Sequence, residues 1–312
     1  AFIKVNPEIV IGGINTRDYS FVSNPNASLV TKLVALGYKK LKNNLYFESQ
    51  TPRFEAYIDL KRTKFENYTK ATRNKVNNSK RKGLKLEKFD IDNISDISSI
   101  LLKKDLNAYR TFHSIFSEND SIDFYVVKSD FEQLIKNSEK LYEEELDKNY
   151  LYNEIIHRSN KKSAINTKMN SDAKITIYKN EIKFATNLLK DNKDVIVAYA
   201  IVVRQDNRAV LIESNFDRSF PFNQNYFLFD ALINKYKENK FEYLSIGPVS
   251  GDFKKDSPYY TLNRFKIGFN PSIYEFIGEF DLVINKYMYN YLLRSGRLAK
   301  EFNKKSIDEV NR

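Results

Sequence analysis

Cysteine is absent from all 312 residues. Disulfides, thiolate metal sites and a cysteine nucleophile are thereby excluded. Histidine is nearly as scarce: only His113 and His157 occur. That is too little for a histidine metal cluster or a Ser-His-Asp triad, and no metal site is expected. Glycine is sparse and badly spaced for phosphate binding. The nine glycines stand at 12, 13, 37, 83, 247, 251, 268, 278 and 296, and no two are spaced as Gly-x-Gly. This rules out a Gly-x-Gly-x-x-Gly dinucleotide loop, and no Gly-x-x-x-x-Gly-Lys-[Ser/Thr] loop is present. The pyrophosphate loop of an ordinary acetyl-CoA-dependent acyltransferase is missing with them, so no cofactor is expected. The longest apolar run, Val195–Val203, has nine residues and is too short to span a bilayer. No signal peptide is read ahead of the first strand. The chain opens at Ala1 directly on the strand-like "AFIKV", and the expectation is that its natural N-terminus is missing.

What remains is enough for a sizeable core. Hydrophobic residues make up 42% and aromatics 14% of the chain, and its length suits two ordinary domains. The net charge of +11 favours anionic partners such as nucleic acid, anionic lipid or phosphorylated substrates. Residues 61–85 hold ten Lys/Arg against one acid, Glu66, a local excess of nine that compositional bias alone does not produce. "FEAYIDL" (54–60) alternates as a strand does. A helix is expected to follow, started by the capping pair Thr63 and Glu66 and stopped at Gly83. Phe65, Tyr68, Thr72 and Val76 share its apolar face. Its cations, Arg73, Lys75, Lys80, Arg81 and Lys82, are candidate contacts for the phosphates of a nucleic acid or another anionic partner.

Further along, "LKLEKFD" and "DFYVV" read as strands and 95–110 as a helix. Residues 129–191 contain no Gly and no Pro. Within them Ile175, Tyr178, Ile182, Ala185 and Leu189 step by 3 and 4, a heptad seam. Leu134, Leu141, Leu146 and Tyr150 form a looser partner pattern. An antiparallel helical hairpin is expected, a coiled-coil arm. Its first half is acidic, with three bases and seven acids over 132–154, and its second basic, with eight bases and two acids over 155–190. Strands resume at "VIVAYAIVVRQ", turn at Asp206-Asn207 and return as "RAVLIESNF". A helix ("NYFLFDALINKYKENK"), a strand ("FEYLSIG"), a Gly/Pro loop, a strand-like "SIYEFIGEFDLVIN" and a closing helix ("KYMYNYLLRSGRLAKEF") complete the chain.

The segment "NRFKIGFNP" (263–271) places a lysine between phenylalanines. Lysine stems often lie along apolar surface with the ammonium in water, so the charge alone proves nothing. The surrounding run "YLSIGPVSGDF … NRFKIGFNPSIYEFIGEFDLVINKYMY" resembles the FemABX family of aminoacyl-tRNA-dependent peptidyltransferases, which build the interpeptide bridge of bacterial peptidoglycan. The family pattern is met by Gly247, Gly251, Phe253, Phe265, Lys266, Gly268, Phe269, Glu275, Gly278 and Phe280. "TRNKVNNSKRKGLKL" resembles the family's basic helix, and "QTPRFEAYIDL" its Gln-Pro-Arg strand, with Thr51 interrupting. Where the family often has Asp-Pro, this chain has Asn6-Pro7. The likeness runs from about residue 36 onward, and the hairpin falls where several members insert one.

The resemblance implies an α/β fold of tandem acetyltransferase-like (GNAT-type) lobes. The first would comprise 1–90 joined by 273–312, the second 91–128 and 193–272, with the arm at 129–192 inserted in the second. It implies that much of the first lobe lies outside this chain. It implies transfer of an aminoacyl group from tRNA to the stem-peptide amine of a lipid-linked or nucleotide-linked peptidoglycan precursor, in the cytoplasm, with peripheral contact at an anionic membrane face. It carries Lys266 and Phe265 over as catalytic positions, Gly268 and Phe269 as substrate-binding, and Arg110 as a precursor-phosphate contact. The chemistry agrees, because amine attack on an ester develops an oxyanion that a fixed cation stabilises. Phe265 and Phe269 would wall the cation and Gly268 would admit the substrate closely. No general base is evident nearby. The alternatives are a non-catalytic RNA-binding module and a small-molecule N-acyltransferase using an acyl thioester.

Overall fold

The computed structural model describes residues 1–40, 52–159, 161–190 and 194–295. The Gln50-Thr51 part of the resemblance and the end of the closing helix beyond 295 lie outside these residues. In chain order the chain begins with β1 (Phe2–Val5), β2 (Val10–Ile14), β3 (Phe21–Ser23), α1 (Ser28–Ala35) and β4 (Tyr38–Lys40). Then come β5 (Phe54–Asp59), α2 (Lys70–Lys80), β6 (Leu84–Lys88), α3 (Leu106–Ser117) and β7 (Ile122–Asp130). The long helices α4 (Phe131–Ser159) and α5 (Lys162–Leu189) precede β8 (Asp194–Gln205), β9 (Arg208–Phe216) and α6 (Gln224–Glu238). β10 (Tyr243–Val249), α7 (Tyr260–Ile267), β11 (Ser272–Phe276), β12 (Phe280–Val283) and α8 (Lys286–Arg294) finish the described chain. The expected α/β class is what these elements form.

The chain divides into two compact units, one of residues 1–72, 204–211 and 235–312, the other of 73–203 and 212–234. In the first unit β2 pairs antiparallel with β3 and β11, and β11 with β5. β5 pairs antiparallel with β10, which runs parallel to the start of β9. Phe54, Ala56 and Ile58 are buried on one face of β5, as the alternation of "FEAYIDL" requires. A smaller antiparallel sheet has β12 between β1 and β4. The strand-like run 272–285 is two strands rather than one, broken at Gly278.

In the second unit β6, β7 and β8 form antiparallel pairs. Ile94, Ile97, Tyr109, Phe124, Tyr199 and Ile201 build its core. The helix expected over 95–110 starts later. A 3-10 stretch covers Ile91–Ile97, and α3 begins only after Asp105, whose carboxylate accepts from the amides of Asn107 and Ala108 at 3.0 and 3.3 Å. The Asp side chain supplies the cap that orphan first-turn amides need.

α4 and α5 form the expected hairpin. Ser138 donates to Glu181 at 3.1 Å, Lys174 meets Glu145 at 3.5 Å, and Asn149 meets Ser171 at 3.2 Å. Across these pairs the α4 number climbs from 138 to 145 to 149 while the α5 number falls from 181 to 174 to 171, so the helices run antiparallel. Of the heptad seam, Ala185 is buried and Ile175, Tyr178, Ile182 and Leu189 are half-buried. The partner pattern on α4 is looser than expected: Leu134 is buried, but Leu146 and Tyr150 face water. The base of the hairpin is anchored by aromatics. Phe131 is fully buried, and Phe184 meets Phe220 and Phe222 edge-on at 5.9 and 5.8 Å. Among the described residues no helix is long and apolar enough to cross a membrane.

Candidate active site

"NRFKIG" folds as the end of α7, and the local contacts dictate how. Asn263, one helical turn before Lys266, accepts from the Ser250 amide at 2.9 Å. Its amide nitrogen donates to the carbonyls of Ser250 at 2.9 Å and Asp252 at 3.1 Å. This clamp fixes α7 to the loop after β10. Residues three apart share a helix face, so Asn263 and Lys266 are buried together, at 1% and 6% exposure. Lys266 therefore does not snorkel.

The Lys266 ammonium reaches β10. Its Nζ donates to the Pro248 carbonyl at 2.7 Å. The strand is shaped for that contact. Pairing with β5 shifts register between Ser245 and Pro248, a bulge that re-aims the backbone. Within it Gly247 has φ +84, and a Cβ there would sit 3.0 Å from the Lys266 Nζ. Glycine is needed at 247 for its conformation and for the space the ammonium occupies. An ammonium has three donors. Among the described residues one is given to Pro248, so the group has hydrogen-bonding capacity to spare.

Beside it sits a carboxylate that sequence reasoning passed over. Glu55, on β5 opposite Pro248, accepts from the Ser245 hydroxyl and from the Tyr57 hydroxyl at 3.3 Å. The Ser245 oxygen in turn accepts from the Gly247 amide at 3.1 Å. Burial lowers the pKa of Lys266 to about 7, against the pull of the Glu55 charge, which raises it. Burial raises the pKa of Glu55, opposed by the hydrogen bonds from Ser245 and Tyr57 and by the Lys266 charge. Desolvation disfavours both charged forms, and each partner partly restores the other. Glu55 was missed because strand alternation assigns it to the face opposite Phe54 and Ala56, which reads as solvent. The signal available was a carboxylate and a tyrosine, Glu55 and Tyr57, two residues apart on that face.

The neighbouring candidates Phe265, Phe269 and Gly268 make the following contacts. Phe265 and Phe269 meet edge-on at 5.5 Å, and Phe269 continues to Tyr68 at 5.2 Å. Phe269 is fully buried. Through Tyr68 these ring contacts reach the residues just ahead of the basic helix. Gly268 permits a close approach, but to protein: a Cβ there would lie 2.1 Å from the Thr72 hydroxyl, and its carbonyl accepts from the Thr69 amide at 2.9 Å.

The basic helix also starts later than expected. The Thr63–Glu66 region leads into a 3-10 turn over Phe65–Asn67, and α2 follows from Lys70. Thr69 accepts from the Thr72 amide at 3.3 Å and serves as the cap. Tyr68, Thr72 and Val76 are buried as expected. Lys82 is a correction. It is 4% exposed and ion-paired with Glu181 of α5, so its charge serves the arm and is not presented to phosphates. Lys80 pairs with Asp230 at 2.8 Å. Lys75 lies over the Tyr226 ring at 4.6 Å and donates to its hydroxyl at 3.1 Å. Arg81 is exposed and donates to Asn78 at 3.3 Å, and Arg73 is half-buried. Arg110, on α3, is exposed and donates to Asn107 at 3.3 Å. Lys266, Phe265, Gly268 and Phe269 thus gather in the first unit, while Arg110 and the cations Arg73, Lys75, Lys80, Arg81 and Lys82 belong to the second.

The fold is an α/β fold shared with FemX. The crystal structure of FemX matches with a TM-score of 0.66 at 18% identity, covering 93% of this chain and 74% of that one. A sequence model of the FemAB family matches residues 1–293, and the chain belongs to that family. Among curated relatives, the lipid II:glycine glycyltransferase of Staphylococcus haemolyticus (strain JCSC1435) is 21% identical over 308 residues, covering 93% of this chain and 70% of that protein. The aminoacyltransferase FemA of Staphylococcus epidermidis is 26% identical over 156 residues, covering 49% of this chain and 37% of that protein. Both relatives are transferases by name.

Proposed function

We propose that this chain is an aminoacyltransferase that moves an amino acid from aminoacyl-tRNA to the stem-peptide amine of a lipid-linked peptidoglycan precursor, extending the interpeptide bridge. Family membership and the names of the relatives support the reaction class. The observation that carries the mechanism is the Lys266 ammonium, buried on a glycine bulge with donors to spare. In the reaction the acceptor amine attacks the ester carbonyl carbon and a C–N bond forms. The carbonyl oxygen takes up negative charge, which Lys266 meets with an N–H. The ester C–O bond then breaks, the amide carbonyl re-forms, and the proton shed by the amine ends on the ribose hydroxyl of the departing tRNA. A donor held in a dry site is worth on the order of 3 kcal/mol to such a transition state. Arg73 and Lys75 of α2 and Arg81 just past its end offer phosphate contacts to the tRNA, and the enzyme works at the cytoplasmic face of the membrane where a lipid-linked acceptor resides.

The test is transfer by the full-length protein from charged tRNA to the lipid-linked precursor. Lys266→Met keeps the stem and removes the donor. Turnover should fall on the order of 100-fold with tRNA affinity unchanged, the pattern of an interaction made in the transition state. Near-normal turnover in Lys266→Met would remove Lys266 from the mechanism. No transfer by the wild type would remove the reaction itself.

A further inference from the structure

We propose that Glu55 is the positioning residue for Lys266: its carboxylate, held by Ser245 and Tyr57 on the strand opposite Pro248, is the counter-charge for the ammonium on its glycine bulge. The role in catalysis rests on the aminoacyltransferase reading above, while the coupling of the two residues does not.

The geometry supports it in three ways. First, β5 and β10 are paired so that Glu55 lies opposite Pro248, the residue whose carbonyl receives the Lys266 Nζ. Second, the carboxylate is not free to swing away. The Ser245 hydroxyl holds one oxygen and the Tyr57 hydroxyl the other, at 3.3 Å. Third, the Ser245 oxygen also accepts from the Gly247 amide at 3.1 Å. The same network therefore fixes the bulge on which the ammonium rests.

Charge logic makes the carboxylate necessary. An oxyanion is stabilised by a protonated lysine, not by a neutral amine. Desolvation is the main influence on Lys266 and drives it toward the neutral form, and Glu55 is the charge that opposes it. The other titratable groups nearby act on Glu55 and Tyr57. Glu8 raises the pKa of both, Arg208 lowers that of Tyr57, and the Tyr274 ring packs against Tyr57 at 5.6 Å. Arg264, two residues before Lys266, is exposed.

The experiment uses Glu55→Gln, which keeps the shape and an acceptor oxygen for Ser245 and Tyr57 but removes the charge. Removing an opposite charge that favours an ammonium lowers its pKa, and Glu55 is the charge that raises that of Lys266. The Lys266 titration should therefore move down by about one unit or more in Glu55→Gln, read by NMR on full-length protein carrying 13Cε-lysine, with the Lys266 signal identified by its loss in Lys266→Met. Transfer rates carry the catalytic half. For a midpoint falling from about 7 by one unit, the variant-to-wild-type ratio should be roughly one-eighth at pH 7.5 and better than one-half at pH 5.5. The KM for aminoacyl-tRNA should stay unchanged, and Glu55→Asp should restore part of the rate at pH 7.5. A role in folding alone would lower the rate equally at both pH values. An unmoved Lys266 midpoint, or a pH-independent rate loss, overturns the proposal. If the wild type transfers nothing, the aminoacyltransferase reading fails, and the NMR midpoint still decides whether Glu55 governs Lys266.

Discussion

Lys82, at the exit of the basic helix, is ion-paired with Glu181 of α5, and Glu181 also accepts from Ser138 of α4 at 3.1 Å. The side chains of Lys82 and Glu181 retain only 5% and 16% of their exposure. Removing one partner of a buried pair leaves an uncompensated charge, at a cost of roughly 3–5 kcal/mol. Lys82→Met should therefore lower the urea midpoint sharply, while Lys82→Met with Glu181→Leu should recover most of the loss. Unfolding curves of the two variants decide. A single variant as stable as the wild type would mean the pair contributes nothing.

The same ion pair sets where the arm can be cut. The base of the hairpin holds Phe131, Leu134 and Ala185 fully buried and Phe184 against Phe220 and Phe222. Replacing 142–177 by a short turn keeps these residues, Ser138 and Glu181. It should leave a protein that unfolds cooperatively near the wild-type midpoint. Removing 132–190 exposes the aromatic base and orphans Lys82, and should abolish cooperative unfolding. Equal stability of the two deletions would show that the hairpin base belongs to the arm alone.

These residues mark what sequence reading reached and what it did not. The strands, the hairpin and the heptad seam on α5 were legible because periodicity reports which face is buried. The start of α2 was not. Thr63 and Glu66 have the right spacing for a cap, but Thr69 makes the capping hydrogen bond once a 3-10 turn intervenes. Lys266 was singled out by its motif, yet its burial was invisible, because lysine at that spacing could equally reach water. Glu55 and Lys82 escape the sequence for one reason. A charge is read as solvated unless its partner is known, and their partners lie far along the chain.

The basic helix should bind phosphates with fewer cations than its count implies. Of the ten in 61–85, Lys61, Arg62, Lys80, Lys82 and Lys85 are already in ion pairs. Lys80 faces Asp230, whose side chain is 3% exposed, so a glutamate at 80 would also destabilise the fold. Charge reversal at Lys70, Lys75 and Arg81 avoids that. For every phosphate that no longer meets a cation, the log–log salt slope of tRNA binding should flatten by about one. The triple variant should bind tRNA at least tenfold more weakly at low salt while still unfolding cooperatively, with only the small loss expected from the Lys75–Tyr226 contact. An unchanged slope would make α2 a solvated face.

Lys266 should cost the protein stability. Its folded pKa is lowered from 10.5 to about 7, so between those values the unfolded chain binds the proton that the folded site has released. Stability therefore rises with pH across that window, and the penalty is largest below pH 7. Lys266→Met has no proton to lose. It should be more stable than the wild type at pH 6, and its advantage should shrink by roughly 2–3 kcal/mol on going to pH 9. Both proteins are compared at each pH, which cancels the groups that do not interact with Lys266, and the same pair on a Glu55→Gln background removes the coupled carboxylate. The measurement is chemical denaturation at pH 6, 7, 8 and 9. A lysine that merely reached solvent would show no such convergence, and a constant difference between the two proteins across the series would mean that the Lys266 ammonium is not desolvated. Convergence would mean that the fold tolerates a buried charge at this position at the expense of its own stability, as sites that need a charge in a dry place do.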